Sequence, residues 1–226
     1  VLGPAGPLTR SVFVEPSSHH ESHRMNLPAY DLGPVPTLVL VGAVLALGPV
    51  LWVAWRHRRS DAAHRRRALT LLTLFLTFDL VLFGAFTRLT DSGLGCPDWP
   101  GCYGSVSPLG AHAAIGAAQS AMPSGPVTHG KAWIEMIHRY LATGVGAWIT
   151  WLALIAWLDA RKRRAGESMA LSPWWPTLTW VWVCAQGAFG ALTVTMKLYP
   201  AIVTLHLLGG LGLLALLSVQ SQSHQS

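Results

Sequence analysis

Charged residues are scarce in this chain: Asp, Glu, Lys and Arg make up only 12% of its 226 residues, whereas soluble globular domains carry about 25%. Cysteine is scarce as well, with three in the whole chain. The first scarcity excludes an ordinary soluble domain and a disordered tail, and the second excludes a disulfide-dense secreted miniprotein. The chain is instead 51% hydrophobic and contains 11 tryptophans. This composition indicates a membrane protein.

Five apolar stretches approach or exceed the ~20 residues that cross a bilayer, and they lie at about 36–55, 68–87, 132–158, 174–196 and 201–219. Each must be helical, because lipid offers no hydrogen-bond partners to free backbone groups. The sequence therefore predicts an all-α fold, a polytopic membrane bundle of five transmembrane helices with one leading helix and a four-helix bundle. A further short helix is predicted near 109–122, where the connection between the second and third spans is rich in alanine.

Basic residues account for the net charge of +6, and they concentrate in two connections between spans. The connection 56–67 contains six arginines, and 161–164 contains four basic residues. The connections on the other side, 88–131 and the turn around Lys197, have little net charge. The positive-inside rule predicts that the basic connections are cytoplasmic and that 88–131 is extracytoplasmic. Their position between apolar spans indicates the lipid bilayer as partner and argues against nucleic acid.

The two ends of the chain differ from the spans in composition. Residues 1–30 are rich in Pro, Ser and His and predict a disordered extension; Met25 is a plausible native start, which would make 1–24 upstream sequence. Residues 31–67 comprise the leading transmembrane helix and the basic loop, and 68–219 the four-helix bundle. A polar tail is predicted at 220–226.

Ionisable side chains inside a span are costly and are therefore candidates for function. Two of them, His138 and His206, enter from the extracytoplasmic side at matching depths. His138 lies six residues after Ala132, about 9 Å deep, and His206 five residues after Ala201, about 8 Å deep, at 1.5 Å per residue. Two imidazoles at one depth can face each other across a bundle as haem-iron ligands. The alternative is that each forms a hydrogen bond to a neighbouring helix.

Three embedded charges complete this set. Glu135 precedes His138 by three residues, so both project from one face of the helix, where the carboxylate can orient the imidazole, relay protons or act on a bound substrate. A di-iron site is disfavoured, because it needs more carboxylates than these spans supply. Arg139 is predicted to point to a different face of the helix from Glu135 and His138. There its guanidinium would either reach the lipid headgroups or contact a haem propionate. Asp79 has no evident partner.

Two of the three cysteines, Cys96 and Cys102, lie six residues apart in a Gly- and Pro-rich segment. On the predicted extracytoplasmic side disulfides persist, so a structural disulfide is favoured over a redox-active thiol pair. Cys184, in the middle of the fourth span, is predicted to be a small buried hydrophobe.

Two motifs resemble the heme A synthase family. The segment RLTDSGLGCPDWPGCYG at 88–104, followed by EMIHRY at 135–140 and the later His206, is similar in sequence and order to the proteobacterial members. The similarity covers roughly 68–219. It implies a bacterial inner-membrane oxidoreductase, two similar four-helix bundles, and oxidation of the C8 methyl of haem O to a formyl group, giving haem A.

The resemblance also implies residue roles. His138 and His206 would be axial ligands of the haem being modified, and Glu135 the essential carboxylate beside it. Arg88 and Arg139 lie near the depth expected for haem propionates, and Cys96 and Cys102 would be the extracytoplasmic pair.

The resemblance further implies a second bundle holding a haem b, which this sequence does not contain. A truncated chain, a gene fragment and half of a split or homodimeric enzyme all fit this difference, and truncation is favoured.

Two other function classes stay open from the residues alone. A b-type haem electron-transfer subunit would use the same histidines without needing Glu135. A thiol–disulfide membrane oxidoreductase would use Cys96 and Cys102, although such relays generally need a second cysteine pair, which Cys184 alone does not supply. Expected partners of the favoured enzyme are haem O, haem O synthase, an electron donor or acceptor, and a second copy of the chain.

Overall fold

The computed structural model describes residues 31–162 and 172–223, and this part of the chain is all-α. Its six helices are α1 (Val35–Arg56), α2 (Ala62–Leu89), α3 (His112–Ala121), α4 (His129–Lys162), α5 (Trp174–Thr195) and α6 (Pro200–Gln222). All except α3 are long and apolar enough to cross a membrane. The predicted five-span bundle and the short helix in the long connection are thus confirmed, and the protein is a multi-pass membrane protein.

Helix ends extend beyond the predicted apolar spans, because polar flanking residues continue the helices outside the bilayer. The clearest case is α2, which begins at Ala62 because the Asp61 carboxylate caps it, accepting a hydrogen bond from the His64 backbone N–H at 2.7 Å. At the other end of the chain α6 runs to Gln222, so the start of the predicted polar tail is helical. Gln220 is buried there and accepts a hydrogen bond from the Thr179 hydroxyl at 2.8 Å.

Some predictions fall outside the described residues. They concern the N-terminal extension at 1–30, the basic residues Arg163 and Arg164, and the last tail residues, 224–226.

The helices α2, α4, α5 and α6 form a closed four-helix ring. Around it α2 packs on α4, α4 on α5, α5 on α6, and α6 on α2. Within the described residues the backbones of α2 and α5, and those of α4 and α6, do not come close, so these are the two diagonal pairs. Across the second diagonal, side chains of α4 and α6 still meet in one buried cluster of Val145, Ile149, Leu213 and Leu217. Side chains on α4 and α6 that point inward therefore face each other across the interior of the bundle.

The leading helix α1 packs outside this ring, mainly on α4 and less on α2. The crossing with α4 is close because it passes through two glycines. A Cβ added to Gly42 would lie 2.7 Å from Thr143 Cγ2 and 2.8 Å from the backbone nitrogen of Gly144. Small residues give this kind of backbone approach in membranes, where lipid removes the hydrophobic drive between helices.

The two ends of the bundle are held together differently. At the end with the connection 56–67, here named the basic end, Arg66 of α2 forms an ion pair with Asp159 of α4. At the opposite end, here named the loop end, the connection 88–131 covers the helices. Its position there is supported by Lys131 Nζ, which lies 3.1 Å from Asp91, and by Lys197 Nζ, which donates to the Pro97 carbonyl at 3.4 Å.

Candidate functional site

The two predicted histidines lie on one diagonal of the bundle, His138 on α4 and His206 on α6. Each imidazole faces a glycine on a neighbouring helix. A Cβ added to Gly84 of α2 would lie 3.0 Å from His138 Nε2, and one added to Gly190 of α5 would lie 3.4 Å from His206 Cε1. The two imidazoles thus belong to the helix pair that lies across the interior of the bundle.

Other contacts orient the two rings. The Phe83 ring stacks parallel to His138, with 6.3 Å between ring centroids and an interplanar angle of 11°. The His206 ring approaches the backbone carbonyl of Gln186, but its buried Nδ1 makes no hydrogen bond of good geometry. A histidine that ligates a metal usually directs its second nitrogen at such a carbonyl, which fixes its tautomer. The arrangement leaves the Nε2 atom of His206 available as a ligand.

These residues fit a haem group. Two half-buried imidazoles on diagonal helices supply the donor type that haem iron takes axially, and the two glycines keep free the space that Cβ atoms would fill. They do not fit a bare metal ion: in the part of the chain that the structure describes, no three His, Cys, Asp or Glu side chains come together.

Glu135 and Arg139 form a second group, at the loop end of α4. Arg139 Nη2 lies 2.5 Å from Glu135 Oε1, and both side chains are more than 90% buried. The prediction that Arg139 points to a different face from Glu135 was wrong, because residues four apart lie on one side of a helix. Its predicted snorkelling to headgroups is excluded by the same burial.

This ion pair holds the loop above it. Glu135 Oε2 accepts the backbone N–H of Cys96 at 2.8 Å. Arg139 Nη1 donates to the carbonyls of Asp98 at 3.0 Å and Pro100 at 3.1 Å, and also to that of Gly101. A buried ion pair is stable only when further hydrogen bonds satisfy both partners, and the loop backbone provides them. The Nε atom of Arg139 stays buried without a hydrogen-bond partner.

The loop is itself closed by the disulfide between Cys96 and Cys102, which confirms the predicted pairing. Both cysteines are fully buried. Beside them the buried Asp98 carboxylate accepts the backbone N–H groups of Tyr103 at 2.6 Å and Gly104 at 2.8 Å. Burial, and then the Asp98 charge, raises the pKa of the Tyr103 phenol above its usual value. The disulfide and these hydrogen bonds thus hold the loop in place over Glu135 and Arg139.

The structure does not gather every candidate residue. Among the described residues no hydrogen bond joins Glu135 to His138, although they are one turn apart. Arg88 is exposed at the loop end of α2, one turn beyond Gly84. Asp79 is exposed on the outer face of α2. Cys184 is exposed on α5, so its predicted burial was wrong: lipid is as apolar as a core, and either surface accepts a thiol.

Three residues of the site were missed from the sequence. Gly84 and Phe83 face His138, and Gln186, a polar residue inside a span, lies beside His206 and packs against Gly209. Gln186 could have been found by the same argument that selected the histidines, because a polar amide in a span needs a partner. Gly84 and Phe83 carry no such signal.

Comparison with known proteins gives a consistent result. A family model described as cytochrome oxidase assembly protein (COX15-CtaA) matches residues 67–225. The heme A synthase of Shewanella oneidensis is 43% identical over 148 residues, which cover 65% of this chain and 42% of the relative. The heme A synthase of Lysinibacillus sphaericus is 29% identical over 173 residues, covering 75% of this chain and 49% of the relative. The chain thus spans less than half the length of these relatives. No solved structure matches it.

Proposed function

The chain belongs to the family of cytochrome oxidase assembly proteins, and on that premise we propose that residues 68–219 form the haem-binding, substrate-side half of a heme A synthase-type oxidoreductase. The substrate is haem O, and the reaction oxidises its C8 methyl to a formyl group, giving haem A. The observation that carries the proposal is the pair His138 and His206 on diagonal helices, each facing a glycine.

In this proposal the histidines hold the haem by its iron, which supplies the redox chemistry. Gly84 and Gly190 keep the interior wide enough at the level of the two rings. Phe83 restrains the His138 ring by stacking on it. The backbone carbonyl of Gln186 lies beside the His206 ring.

Glu135 is the proposed catalytic carboxylate. Both of its oxygens are engaged, one by Arg139 and one by the Cys96 N–H. These two contacts fix the position of the carboxylate, and the loop supplies one of them. Arg139 is its positioning residue.

The two arginines are the proposed propionate contacts. Arg139 would contact a propionate through its Nε–H, because its Nη1 already donates to the loop and its Nη2 to Glu135. Arg88 is exposed at the loop end and offers its whole guanidinium.

The proposal has consequences for location and partners. The protein would lie in the bacterial inner membrane, with the loop end extracytoplasmic and the basic end cytoplasmic. Haem O would come from a haem O synthase, and an electron acceptor would take up the electrons that the oxidation releases. The resemblance assigns a haem b to a second bundle. The thiol-exchange alternative is disfavoured by the full burial of Cys96 and Cys102.

The first test is the optical spectrum of the detergent-purified chain loaded with haem, oxidised and reduced. We expect a bis-histidine spectrum that is lost in His138→Ala and in His206→Ala. His112→Ala is the matched control, because His112 is exposed at the loop end. An unchanged spectrum in either site variant would overturn the assignment of the ligands.

The second test separates the enzyme from an electron-transfer subunit. The chain is produced together with a haem O synthase, and the haems are extracted and identified by mass. We expect haem A with the wild type and bound haem O with Glu135→Gln. Equal haem A from both would remove Glu135 from the mechanism. Bound haem without haem A in the wild type, also after addition of a second bundle in trans, would favour electron transfer.

A further inference from the structure

A groove opens at the basic end between the last turn of α1 and the first turns of α2. Its volume is about 420 Å³, and Trp52 and His57 line it from one side and His64, Arg67 and Leu71 from the other. The groove lies at the opposite end of the bundle from the loop that covers Glu135. It is therefore separate from the proposed haem site, and the inference drawn from it does not rest on the proposed function.

The rim of the groove is cationic or hydrogen-bond donating. The His57 and His64 rings lie 5.2 Å apart between centroids, and Arg67 lines the groove one turn further along α2. The neighbouring charges are also mostly positive. They are Arg56, Arg58, Arg59, Arg65 and Arg66, against a single carboxylate, Asp61, within 56–67.

Most of these neighbours have other roles. Asp61 caps α2 through the His64 backbone N–H. Arg66 is paired with Asp159, and Arg58 lies 5.3 Å above the Trp55 ring. Because Asp61 is engaged at the start of α2 and no carboxylate lines the groove, the rim keeps an excess of positive charge.

The floor of the groove is apolar. Trp52 and Val53 on α1 and Ala68, Leu71 and Leu72 on α2 continue it by one to two turns away from the charged rim. Trp52 is 62% exposed and Leu71 41% exposed, so this part opens to the surface of a membrane-spanning helix pair. The groove thus has hydrogen-bond donors where it opens at the helix ends and apolar side chains where it continues into the membrane-spanning part.

We propose that this groove binds one anionic glycerophospholipid. The phosphate oxygens accept hydrogen bonds from His57, His64 and Arg67, and an acyl chain lies along Trp52 and Leu71. Basic pockets between transmembrane helices at the basic side of a membrane bind such headgroups. A soluble phosphate compound would use the rim alone, whereas a phospholipid matches both the rim and the floor.

The test measures lipid binding to the whole chain by native mass spectrometry. The detergent-purified, delipidated protein is titrated with phosphatidylglycerol and with phosphatidylcholine of the same acyl chains. We expect phosphatidylglycerol to bind with clear preference, with His64→Gln and Arg67→Gln each weakening it about fivefold. Arg65→Gln is the matched control, because it removes one positive charge from the same helix turn without lining the groove. Its affinity should stay near that of the wild type.

A further variant, Ala68→Trp, fills the apolar floor and leaves every charge in place. We expect it to weaken both lipids, which shows that the acyl chain is part of the ligand. Three results would overturn the proposal: equal affinity for the two lipids, equal losses in Arg65→Gln and Arg67→Gln, or full displacement of phosphatidylglycerol by millimolar inorganic phosphate. The second would mean a diffuse surface attraction, and the third a site for free phosphate. Size-exclusion profiles and helical circular dichroism confirm that each variant is folded.

Discussion

Replacing Gly84 with alanine tests the geometry of the histidine pair more directly than removing a histidine. The new methyl carbon would lie 3.0 Å from His138 Nε2, and ordinary van der Waals contact begins at 3.4 Å. The ring, or the group it holds, must therefore retreat by 0.4 Å, the difference between these two distances. This shift takes up most of the about 0.5 Å within which the residues of a binding site have to be held. For comparison, a displacement of about 1 Å at an active site lowers the reaction rate by up to 10²-fold. We expect haem affinity to fall about tenfold, which is about 1.4 kcal/mol.

The same change should not destabilise the fold. Alanine is favoured over glycine inside a helix by about 0.5–1 kcal/mol, so the unfolding temperature should stay equal or rise while haem binding weakens. Opposite signs of the two effects distinguish a blocked site from a damaged protein. The assay is haem titration followed by the absorption of the bound form, with thermal unfolding measured by circular dichroism.

Two further glycines make a graded series. A Cβ on Gly190 would lie 3.4 Å from His206 Cε1, in ordinary contact, and one on Gly146 would meet nothing within 4 Å. We expect Gly190→Ala to weaken haem binding slightly and Gly146→Ala, on the same helix as His138, to leave it unchanged. If Gly84→Ala bound haem as tightly as Gly146→Ala, the reasoning that places the haem between these helices would be refuted.

Three other outcomes are expected from the packing around the site. Arg139→Met leaves the Glu135 carboxylate buried without its ion-pair partner, so the free energy of unfolding should fall by about 3–5 kcal/mol, as measured by thermal unfolding. The double variant with Glu135→Gln should recover much of this loss, and no recovery would contradict the pairing. Asp98→Ala leaves two backbone N–H groups of the loop without an acceptor, which should lower the free energy of unfolding by about 1–3 kcal/mol for each group. Hydrogen exchange of these amides should accelerate, and unchanged protection would argue against the role of Asp98. In Gly42→Val the added Cβ would lie 2.7 Å from Thr143 Cγ2, so α1 should separate from α4. We expect faster proteolysis near 57–61 and unchanged haem binding. Loss of haem would show that α1 supports the site.

The predicted spans agree with the structure because hydrophobic length is set by the bilayer. Each of the five predicted stretches lies at the position of a helix, with ends shifted by a few residues. The shifts arise where capping and flanking polar residues, such as Asp61 before α2, prolong a helix outside lipid. Hydropathy does not report such residues.

The candidate site was predictable in part. Depth alone led to the prediction that His138 and His206 form a pair, and the structure has them on the diagonal helices α4 and α6. The ion pair of Glu135 with Arg139 could also have been predicted, because residues four apart share a helix face. Its hydrogen bonds to the loop could not, since they depend on how residues 95–101 fold over α4.

The sequence by itself determined the number of membrane helices, their order along the chain, and the residue types available for chemistry. The tertiary structure decided which helices are diagonal and which face of each points inward. It therefore decided that Gly84 and Gly190 face the imidazoles while Cys184 and Asp79 face outward. The physical reason is that lipid and the bundle interior are similarly apolar. Hydrophobicity marks where a helix crosses the membrane, and only packing against neighbours fixes its rotation.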